Sequence, residues 1–519
     1  MARINTNVSS LIARTNLART GQELDLRLER LSTGLRINRG KDDPAGVIIS
    51  ERISTDLSGL SAAINNANRA SSVISTTEGS LNEVSNLLND IKGLLVQSAN
   101  LGASSDEERA ANQIQIDSAV KSITRIANTA SFGGLNLLDG SLDFVTSGVA
   151  SSAISTSKIF SASFVGAQSL SVDVDVIASA QKASLFMNGN SGIITAGVLD
   201  NSLTLDIGGS KGSAEISFTS AQTVTQMVAA VNSQSSNTGV TAVLIDPANS
   251  AMGFAFRSAA YGTDEFVSVQ KIASTGAGAV EFFALEGNVD TPLLDGTWNW
   301  GNASLSTGAD KLRDEGRDVT ALINGNLATG DGLEVSINSP TLAMELLLGE
   351  TFGTDPTASS SVFTITGGGS LFQIGPEINS QQQTSIGIQS VVASKLGATS
   401  INGTVEFLSS LSEGKANSIQ TSARKNDFTA AQDILNSAIG EVSILRGRLG
   451  AFERNVLNTS QRSMQTQFAN LTASRSLIQD ADFASETSEL TRAQILQSAG
   501  TSVLSLANQS AQSVLQLLG

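Results

Sequence analysis

Apolar residues at both ends of the chain recur at helical spacing. Near the N-terminus the steps are seven, four, three and four residues, at Leu17, Leu24, Leu28, Leu31 and Leu35. Over residues 490–518 the apolar set is Leu490, Leu496, Val503, Leu506, Val514 and Leu517. Terminal residues of soluble domains usually fray. Apolar helical stripes at both ends therefore predict helices that pack against other helices.

Longer stripes lie just inside the two ends. Asp43 followed by Pro44 predicts the start of a second helix. The spacing between its apolar positions alternates between three and four residues from Leu60 to Leu95. Similar stripes cover 116–127 and 428–456. A stripe that continues for several heptads favours a coiled-coil-like seam. Because these seams are far apart in sequence, we expect the N- and C-terminal regions to pair and the middle to be an insertion.

The middle of the chain changes to strand periodicity. Alternating apolar and polar residues predict strands over 170–176, 203–207 and 362–366, and a short helix is predicted over 223–231. Trp298 and Trp300 are interpreted as local core or strand residues. The predicted fold class is multidomain α+β, with paired N- and C-terminal long α-helices in a coiled-coil-like bundle and an inserted β-rich outer module.

Composition narrows the possible functions. The formal net charge is -16, and residues 144–400 carry nine Lys/Arg and 22 Asp/Glu, which argues against a nucleic-acid partner. The chain has no Cys and no His, so no disulfide, common zinc site or Ser-His-Asp triad is expected, and no cofactor or metal. The chain contains no apolar run of about 18 residues, so no membrane insertion is expected. The first residues lack the pattern of a cleaved signal peptide.

Several motifs identify a family. Ile4-Asn-Thr-Asn-Val-Ser-Ser-Leu, then Leu31-Ser-Thr-Gly-Leu-Arg-Ile-Asn with Lys41-Asp-Asp-Pro-Ala-Gly, resemble the N-terminal motifs of bacterial flagellin. The run Arg492-Ala-Gln-Ile-Leu-Gln-Ser-Ala-Gly is similar to its C-terminal region. The resemblance covers about 1–140 and 426–519. Residues 203–243 also resemble a small repeat of flagellins and hook proteins.

The resemblance implies an architecture in layers. Residues 1–42 plus 478–519 would form an inner tube of terminal helices, and 43–145 plus 365–477 a helical rod with some β structure in an outer tube. Residues 146–364 would be a variable β-rich surface insert. The terminal residues Leu17, Leu24, Leu28, Leu31, Leu35, Leu496, Val503, Leu506, Val514 and Leu517 would mediate filament assembly. We further expect 1–40 and 480–519 to order only on polymerisation, because an isolated helix is marginal.

The resemblance also implies a function and partners. The chain would be a structural, non-enzymatic subunit that polymerises helically into the extracellular flagellar filament for swimming. Its partners would be other copies of itself, the type III export apparatus with an export chaperone, and the filament cap with hook-associated proteins. Co-assembly with other flagellins stays open.

Alternatives remain at this stage. A hook–filament junction protein shares features of the two ends. A metalloprotease insert, known in some flagellins, needs a His-Glu-x-x-His site that a chain without His cannot form. An adhesive or glycosylated role of the Ser/Thr-rich insert also stays open.

One stretch departs from the family. Strongly recognised flagellins engage an animal innate-immune receptor through positions that correspond to Asp90, Lys92, Gly93, Leu94 and Gln115. Those members carry arginine at the position of Asp90 and glutamate at the positions of Gly93 and Gln115. Since the loss of a central arginine commonly costs about 2 kcal/mol or more at an interface, we expect weak or no activation of the receptor.

Overall fold

The computed structural model describes most of the chain, and its long helices lie towards both ends. The described residues are 6–164, 169–190, 192–275, 280–285, 300, 305–306, 308–309, 311–339, 341–401 and 404–518. The helices are α1 Val8–Thr33, α2 Pro44–Ala99, α3 Asp106–Thr129, α4 Val224–Ser233, α5 Ser235–Thr238, α6 Glu350–Gly353, α7 Ile419–Lys425, α8 Thr429–Phe452, α9 Asn458–Gln479 and α10 Phe483–Leu518. Trp298 lies outside the described residues.

The strands fill the middle of the chain. The first half comprises β1 Ser131–Phe132, β2 Leu135–Asn136, β3 Phe144–Ser147, β4 Ile154–Ala162, β5 Leu170–Ala178, β6 Ser184–Met187, β7 Ile194–Thr195, β8 Val198–Leu199, β9 Leu203–Gly209, β10 Gly212–Phe218, β11 Val240–Leu244, β12 Phe254–Ser258 and β13 Phe266–Ser274. The second half comprises β14 Phe282–Ala284, β15 Lys311–Glu315, β16 Thr320–Ile323, β17 Asn326–Leu327, β18 Thr329–Asp331, β19 Glu334–Asn338, β20 Leu342–Leu348, β21 Ser361–Gly368, β22 Ser370–Gln373, β23 Gln383–Ile386, β24 Thr399–Ile401 and β25 Thr404–Glu406.

The chain forms two compact units. The terminal unit contains 1–71, 373–382 and 453–519, and the central unit contains 72–372 and 383–452. In the terminal unit, Leu60, Ala63 and Ala67 of α2 form a buried cluster with Met464 of α9. Small alanines let the two helices approach closely, and the amide of Gln461 donates to Asn68 Oδ1 at 2.8 Å. The predicted seam along α2 is therefore buried in this unit.

The helices of the central unit bury the rest of the predicted seams. Leu81, Val84, Leu88 and Ile91 of α2 are fully buried, and the seam positions of α3 and those of α8 up to Leu449 are buried as well. Local sequence sets the helix starts: Ser105 accepts from the Glu108 backbone N–H, and the Glu108 carboxylate accepts from the Ser105 N–H in a capping box. The buried Gln113 amide donates to Leu411 O and accepts from Ile419 N, both at 2.8 Å. Each polar group of that side chain is thereby satisfied.

The predicted stripe over 428–456 differs from the structure at its end. The α-helix α8 stops at Phe452, and Glu453–Leu457 form one π-helical turn before α9. A π turn contains one residue more than an α turn, which shifts the facing side chains by one position. Leu457 therefore takes the buried place that the three-four pattern assigns to Val456.

Two β cores make up most of the central unit. The first lies between the sheet β17-β16-β5-β21-β3 and the sheet β18-β19-β20-β4. The second lies between β10-β9-β13-β15 and β11-β12-β6-β14, with α4 packed against it. The predicted strands 170–176, 203–207 and 362–366 correspond to β5, β9 and β21, and the predicted helix at 223–231 is α4. Thr223 caps α4 through Gln226 in a second capping box.

Aromatic residues fill the second core. Phe254 and Phe256 have ring centroids 4.7 Å apart, and Phe282 lies 6.1 Å from Phe256. Beside this core, Trp300 contacts Phe283 at 5.4 Å and donates from Nε1 to Met252 O at 3.1 Å. The interpretation of Trp300 as a local core residue agrees with these contacts.

Candidate assembly surface of the terminal helices

Helices α1 and α10 pair antiparallel along their length. Asn7 donates to Ala507 O at 2.9 Å, and the Leu17 side chain lies beside Gly500. At the other end of the pair, the backbone N–H of Arg36 donates to Gln479 O at 2.7 Å. Residue numbers thus rise along α1 as those of its partners fall along α10. Gly34 ends α1 with a left-handed φ of 73°, which turns the chain towards that contact.

The seam between these helices is made of small side chains. Ala13 of α1 and Ala493 of α10 are buried, and Gly500 has Leu17 Cδ1 only 3.2 Å from where its Cβ would stand. Small residues bring the two backbones close together, and Ala13 and Ala493 are the apolar side chains that the described part of the pair buries fully. The large apolar side chains are left for other contacts.

Much of that remaining apolar surface is exposed. Val8, Leu11, Ile12 and Leu28 of α1 are about half exposed, as are Phe483, Ile495, Leu496, Val503 and Leu506 of α10. Val503 is 56% exposed and Leu506 is 68% exposed. Contiguous exposed apolar surface on a soluble protein marks an interaction site. The described residues of the terminal pair therefore present a face suited to packing against further helices.

One buried carboxylate interrupts the apolar seam. Glu486 of α10 is 6% exposed, with Oε2 at 2.8 Å from Arg27 Nη1 and Oε1 at 3.2 Å from Arg30 Nη1. Burial alone would raise the pKa of Glu486, but the hydrogen bonds from Arg27 and Arg30 outweigh it and lower that pKa. The carboxylate is therefore held ionised between two guanidinium groups.

The residues predicted to mediate assembly divide into three groups. Leu28, Leu496, Val503 and Leu506 are exposed, whereas Leu17, Leu24, Leu31 and Leu35 are half-buried. Val514 and Leu517 belong to α10, but their side chains lie outside the described part of the structure. Sequence reasoning missed Arg27, Arg30 and Glu486. Ala493 and Gly500 are small residues seven positions apart, and this spacing could have predicted the seam from the sequence.

The positions that correspond to the receptor site lie on two helices of the central unit. Asp90, Lys92 and Gly93 are exposed on α2 and Gln115 is exposed on α3, whereas Leu94 is half-buried. Lys92 donates to Asn436 Oδ1 of α8 at 3.3 Å. The exposed positions are thus accessible on the single subunit.

Two kinds of feature are absent from the described residues. No helix among them is long and apolar enough to cross a membrane. No group of three or more His, Cys, Asp or Glu side chains in the same part of the chain could hold a metal ion.

Family comparisons cover both ends and part of the insert. Residues 4–143 match the "Bacterial flagellin N-terminal helical region" and residues 432–518 the "Bacterial flagellin C-terminal helical region". Residues 202–250, which include β9, β10 and α4, match the "Flagellin hook IN motif".

Full-length relatives agree with these matches. The chain is 29% identical to the B-type flagellin of Pseudomonas aeruginosa over 565 residues, and 29% identical to the flagellin of Salmonella muenchen over 540 residues, with 99% of each chain covered. It is 44% identical to polar flagellin F of Vibrio parahaemolyticus over 137 residues, which are 26% of this chain and 36% of that one.

Solved structures are more distant. The flagellar junction protein FlgL from Legionella pneumophila has a TM-score of 0.26 and 13% identity, over 83% of this chain and 100% of that chain. The protein FliD (HAP2) from Pseudomonas aeruginosa PAO1 has a TM-score of 0.23 and 16% identity, over 38% of this chain and 80% of that chain. TM-scores this low define no common fold for the whole chain.

Paired terminal helices with an uncovered apolar face suit a subunit that packs against further helices. The chain belongs to the bacterial flagellin family. It is a structural subunit that polymerises helically into the extracellular flagellar filament used for swimming. The expected family and fold class are thereby confirmed. The relatives matched over 99% of the chain are flagellins, so the filament subunit is favoured over the hook–filament junction protein.

Proposed function

We propose that the exposed apolar residues of α1 and α10 are the contacts through which subunits polymerise. The observation that carries the proposal is the exposure of Leu496, Val503 and Leu506 on a helix that contains Ala493 and Gly500 in its seam with α1. Burying one such side chain contributes about 1.5–3 kcal/mol. Several of them per subunit, repeated along a polymer, offset the entropy of ordering the helices.

The proposal extends to the layers of the filament. Residues 1–42 plus 478–519 would form the inner layer, 43–145 plus 365–477 the outer helical layer, and 146–364 the surface insert. The self-contained β cores support the last assignment, because an insert with its own core needs no neighbour to fold.

A truncation tests the assembly surface directly. We expect deletion of residues 500–519 to leave a soluble subunit that forms no filaments, because both β cores remain intact while part of the apolar face is lost. The measurement is sedimentation and electron microscopy under conditions in which the full chain polymerises. Filaments of normal length from the truncated subunit would contradict the proposal.

Other partners follow from the same role. We propose that the chain is exported by the flagellar type III apparatus with an export chaperone, and that it contacts the filament cap and hook-associated proteins, with other flagellins as possible co-subunits. Secretion from cells that lack the flagellar export apparatus would contradict the first part. Flagellins are a structural protein family, and we propose no catalytic role.

For the receptor site we propose weak or absent activation. Asp90 is exposed where strongly recognised flagellins carry arginine, and Gly93 and Gln115 replace two glutamates. In a cell reporter assay with nanomolar monomer, we expect little response from the natural chain and a gain from the triple variant Asp90→Arg, Gly93→Glu, Gln115→Glu. A strong response from the natural chain would refute this.

A further inference from the structure

Glu486 is unusual among the charged residues of this protein. Over the described part of the chain it is the only Asp, Glu, Lys or Arg that is buried. It lies in a seam between α1 and α10 that otherwise uses Ala, Gly and Leu side chains. A charge in such a seam is costly unless it is paired, so its presence calls for a specific role.

Both oxygens of this carboxylate accept a hydrogen bond from an arginine. Arg27 and Arg30 are one helical turn apart on α1, and each donates to a different oxygen of Glu486, at 2.8 and 3.2 Å. Side-chain exposure is 26% for Arg27, 18% for Arg30 and 8% for Glu486. Arg30 Nε is buried without a hydrogen-bond partner. Both arginines thus meet at this one carboxylate.

The apolar seam alone does not determine the register of the pair. Small and apolar side chains recur along both helices at intervals of three, four and seven residues, so a slip by one heptad again places apolar groups against apolar groups. In the observed register Leu17 lies beside Gly500 and Asn7 bonds to Ala507.

A slip of one heptad would change the surroundings of Glu486 completely. In the direction that brings Thr501 towards Ser10, Glu486 leaves Arg27 and Arg30 and comes level with Thr20 and Glu23 of α1. The carboxylate would then be unpaired and close to a second carboxylate. An uncompensated buried charge is strongly unfavourable, so this register is rejected.

We propose that Glu486, clamped by Arg27 and Arg30, selects the register of the α1–α10 pair together with the backbone contact between Arg36 and Gln479. It is a positioning residue: it fixes which exposed side chains of the two helices lie side by side on the face that meets the next subunit. The inference rests on the proposed assembly role of that face. A polar group that specifies register at some cost in stability is an attested use of buried charge.

The absence of cysteine from the natural sequence makes a direct test possible. Ser10 Oγ donates to Asn508 Oδ1 at 2.8 Å, so the pair Ser10→Cys with Asn508→Cys reports the observed register. Thr501 is seven residues before Asn508 on the same helical face, so Ser10→Cys with Thr501→Cys reports the slipped register. Intramolecular disulfides in the full-length chain are quantified by gel shift, under conditions that polymerise the natural chain.

With Glu486 unchanged, we expect the first pair to cross-link at least tenfold more than the second. Glu486→Leu should reduce that ratio at least tenfold, and the isosteric Glu486→Gln should reduce it too. The exchange Glu486→Lys with Arg27→Glu again places a carboxylate between two cations and should restore the ratio. Glu489→Gln is the matched control, because Glu489 lies on the same helix but is partly exposed and forms an ion pair with Arg492 of α10 itself.

Two results would overturn the proposal. One is an unchanged ratio in Glu486→Leu. The other is an equal loss of both cross-links in Glu486→Leu and Glu486→Gln, because the carboxylate would then support pairing without selecting the register. The critical concentration for polymerisation is measured in parallel on the cysteine-free variants. If the exposed apolar face were not the assembly surface, variants of that face would polymerise normally while the cross-linking ratio still depended on Glu486.

Discussion

The terminal helices and the β-rich insert use similar apolar residues in opposite ways. In the second β core, Phe254, Phe256 and Phe282 are fully buried within the subunit. In α10, Leu496, Val503 and Leu506 are about half exposed or more, and the seam of the helix is lined by Ala and Gly. The insert therefore buries its own apolar core, whereas the terminal helices leave large apolar side chains uncovered. Under the assembly role that we propose for those helices, the chain divides folding and assembly between two regions.

The largest expected difference between the regions is in hydrogen exchange of the free monomer. We expect backbone amides of 1–40 and 480–519 to exchange almost without protection, because the α1–α10 pair buries little surface. Amides of β5, β9 and β12 should be slower by a factor of about 10⁴ or more, since core strands open only with the whole fold. Mass spectrometry of proteolytic fragments measures both sets in one sample. Strong protection of the terminal amides in monomers would show that the terminal helices fold without neighbouring subunits, as the insert does.

The next largest effect is expected from exposed apolar residues, which both regions contain. Val503 and Leu506 of the terminal unit are 56% and 68% exposed, and Val362 and Leu327 of the insert are 55% and 67% exposed. We expect Val503→Ser with Leu506→Ser to raise the critical concentration for polymerisation by about 100-fold or more, because two buried contacts of about 1.5–3 kcal/mol each are lost. The measurement is the subunit concentration left in the supernatant after sedimentation of filaments.

The matched control is Val362→Ser with Leu327→Ser, which should leave the critical concentration within about twofold of the natural value. Both double variants remove the same residue types from equally exposed sites. An equal effect of the two would show that assembly depends on surface hydrophobicity in general, without a dedicated terminal face.

Periodicity predicted most of the fold but little of its pairing. The seams of α2, α3 and α8 follow from the three-four spacing, and β5, β9 and β21 from alternation. The pattern does not reveal that Val172 of β5 lies opposite Phe363 of β21, because strand pairing over such a separation depends on tertiary packing. Nothing in the sequence marked the π turn at 453–457 either.

For the assembly site, large apolar residues were easy to find and the charged clamp was not. Leu496, Val503 and Leu506 stand out in any helical projection of α10. Glu486 looks like an ordinary surface residue, since Glu is almost never fully buried unless it is paired. Its partners Arg27 and Arg30 are about 450 residues away in the sequence, so only the fold brings the three together. In the insert, Glu334 also looks like an ordinary surface residue in the sequence. Its pKa is raised, whereas that of Glu486 is lowered.

The smallest expected effect is a pH dependence that distinguishes the two regions. On β19 of the insert, burial and then the charge of Glu345 raise the pKa of Glu334 to about 7. Lys158, 3.1 Å from Glu345, and Asp331 are the other charged groups that act on it. Because the folded pKa lies above the ordinary value, the contribution of Glu334 is fully present below about pH 4.5 and is lost as the pH rises towards 7.

We therefore expect the free energy of unfolding of the insert to fall by about 1–2 kcal/mol between pH 5 and pH 7.5, after allowance for solvent screening. Urea unfolding of the monomer, followed by the fluorescence of Trp298 and Trp300, measures it, and Glu334→Gln should flatten this part of the pH profile. For Glu486 the sign is reversed, because its pKa in the folded pair is lowered. Its contribution stabilises the terminal pair at pH values above the ordinary pKa of a glutamate, and it disappears as the pH falls through the folded pKa. Mild acid should thus strengthen the insert before stronger acid loosens the terminal helices in the filament. A common sign in the two regions would mean that Glu334 is ionised in the folded insert at pH 5.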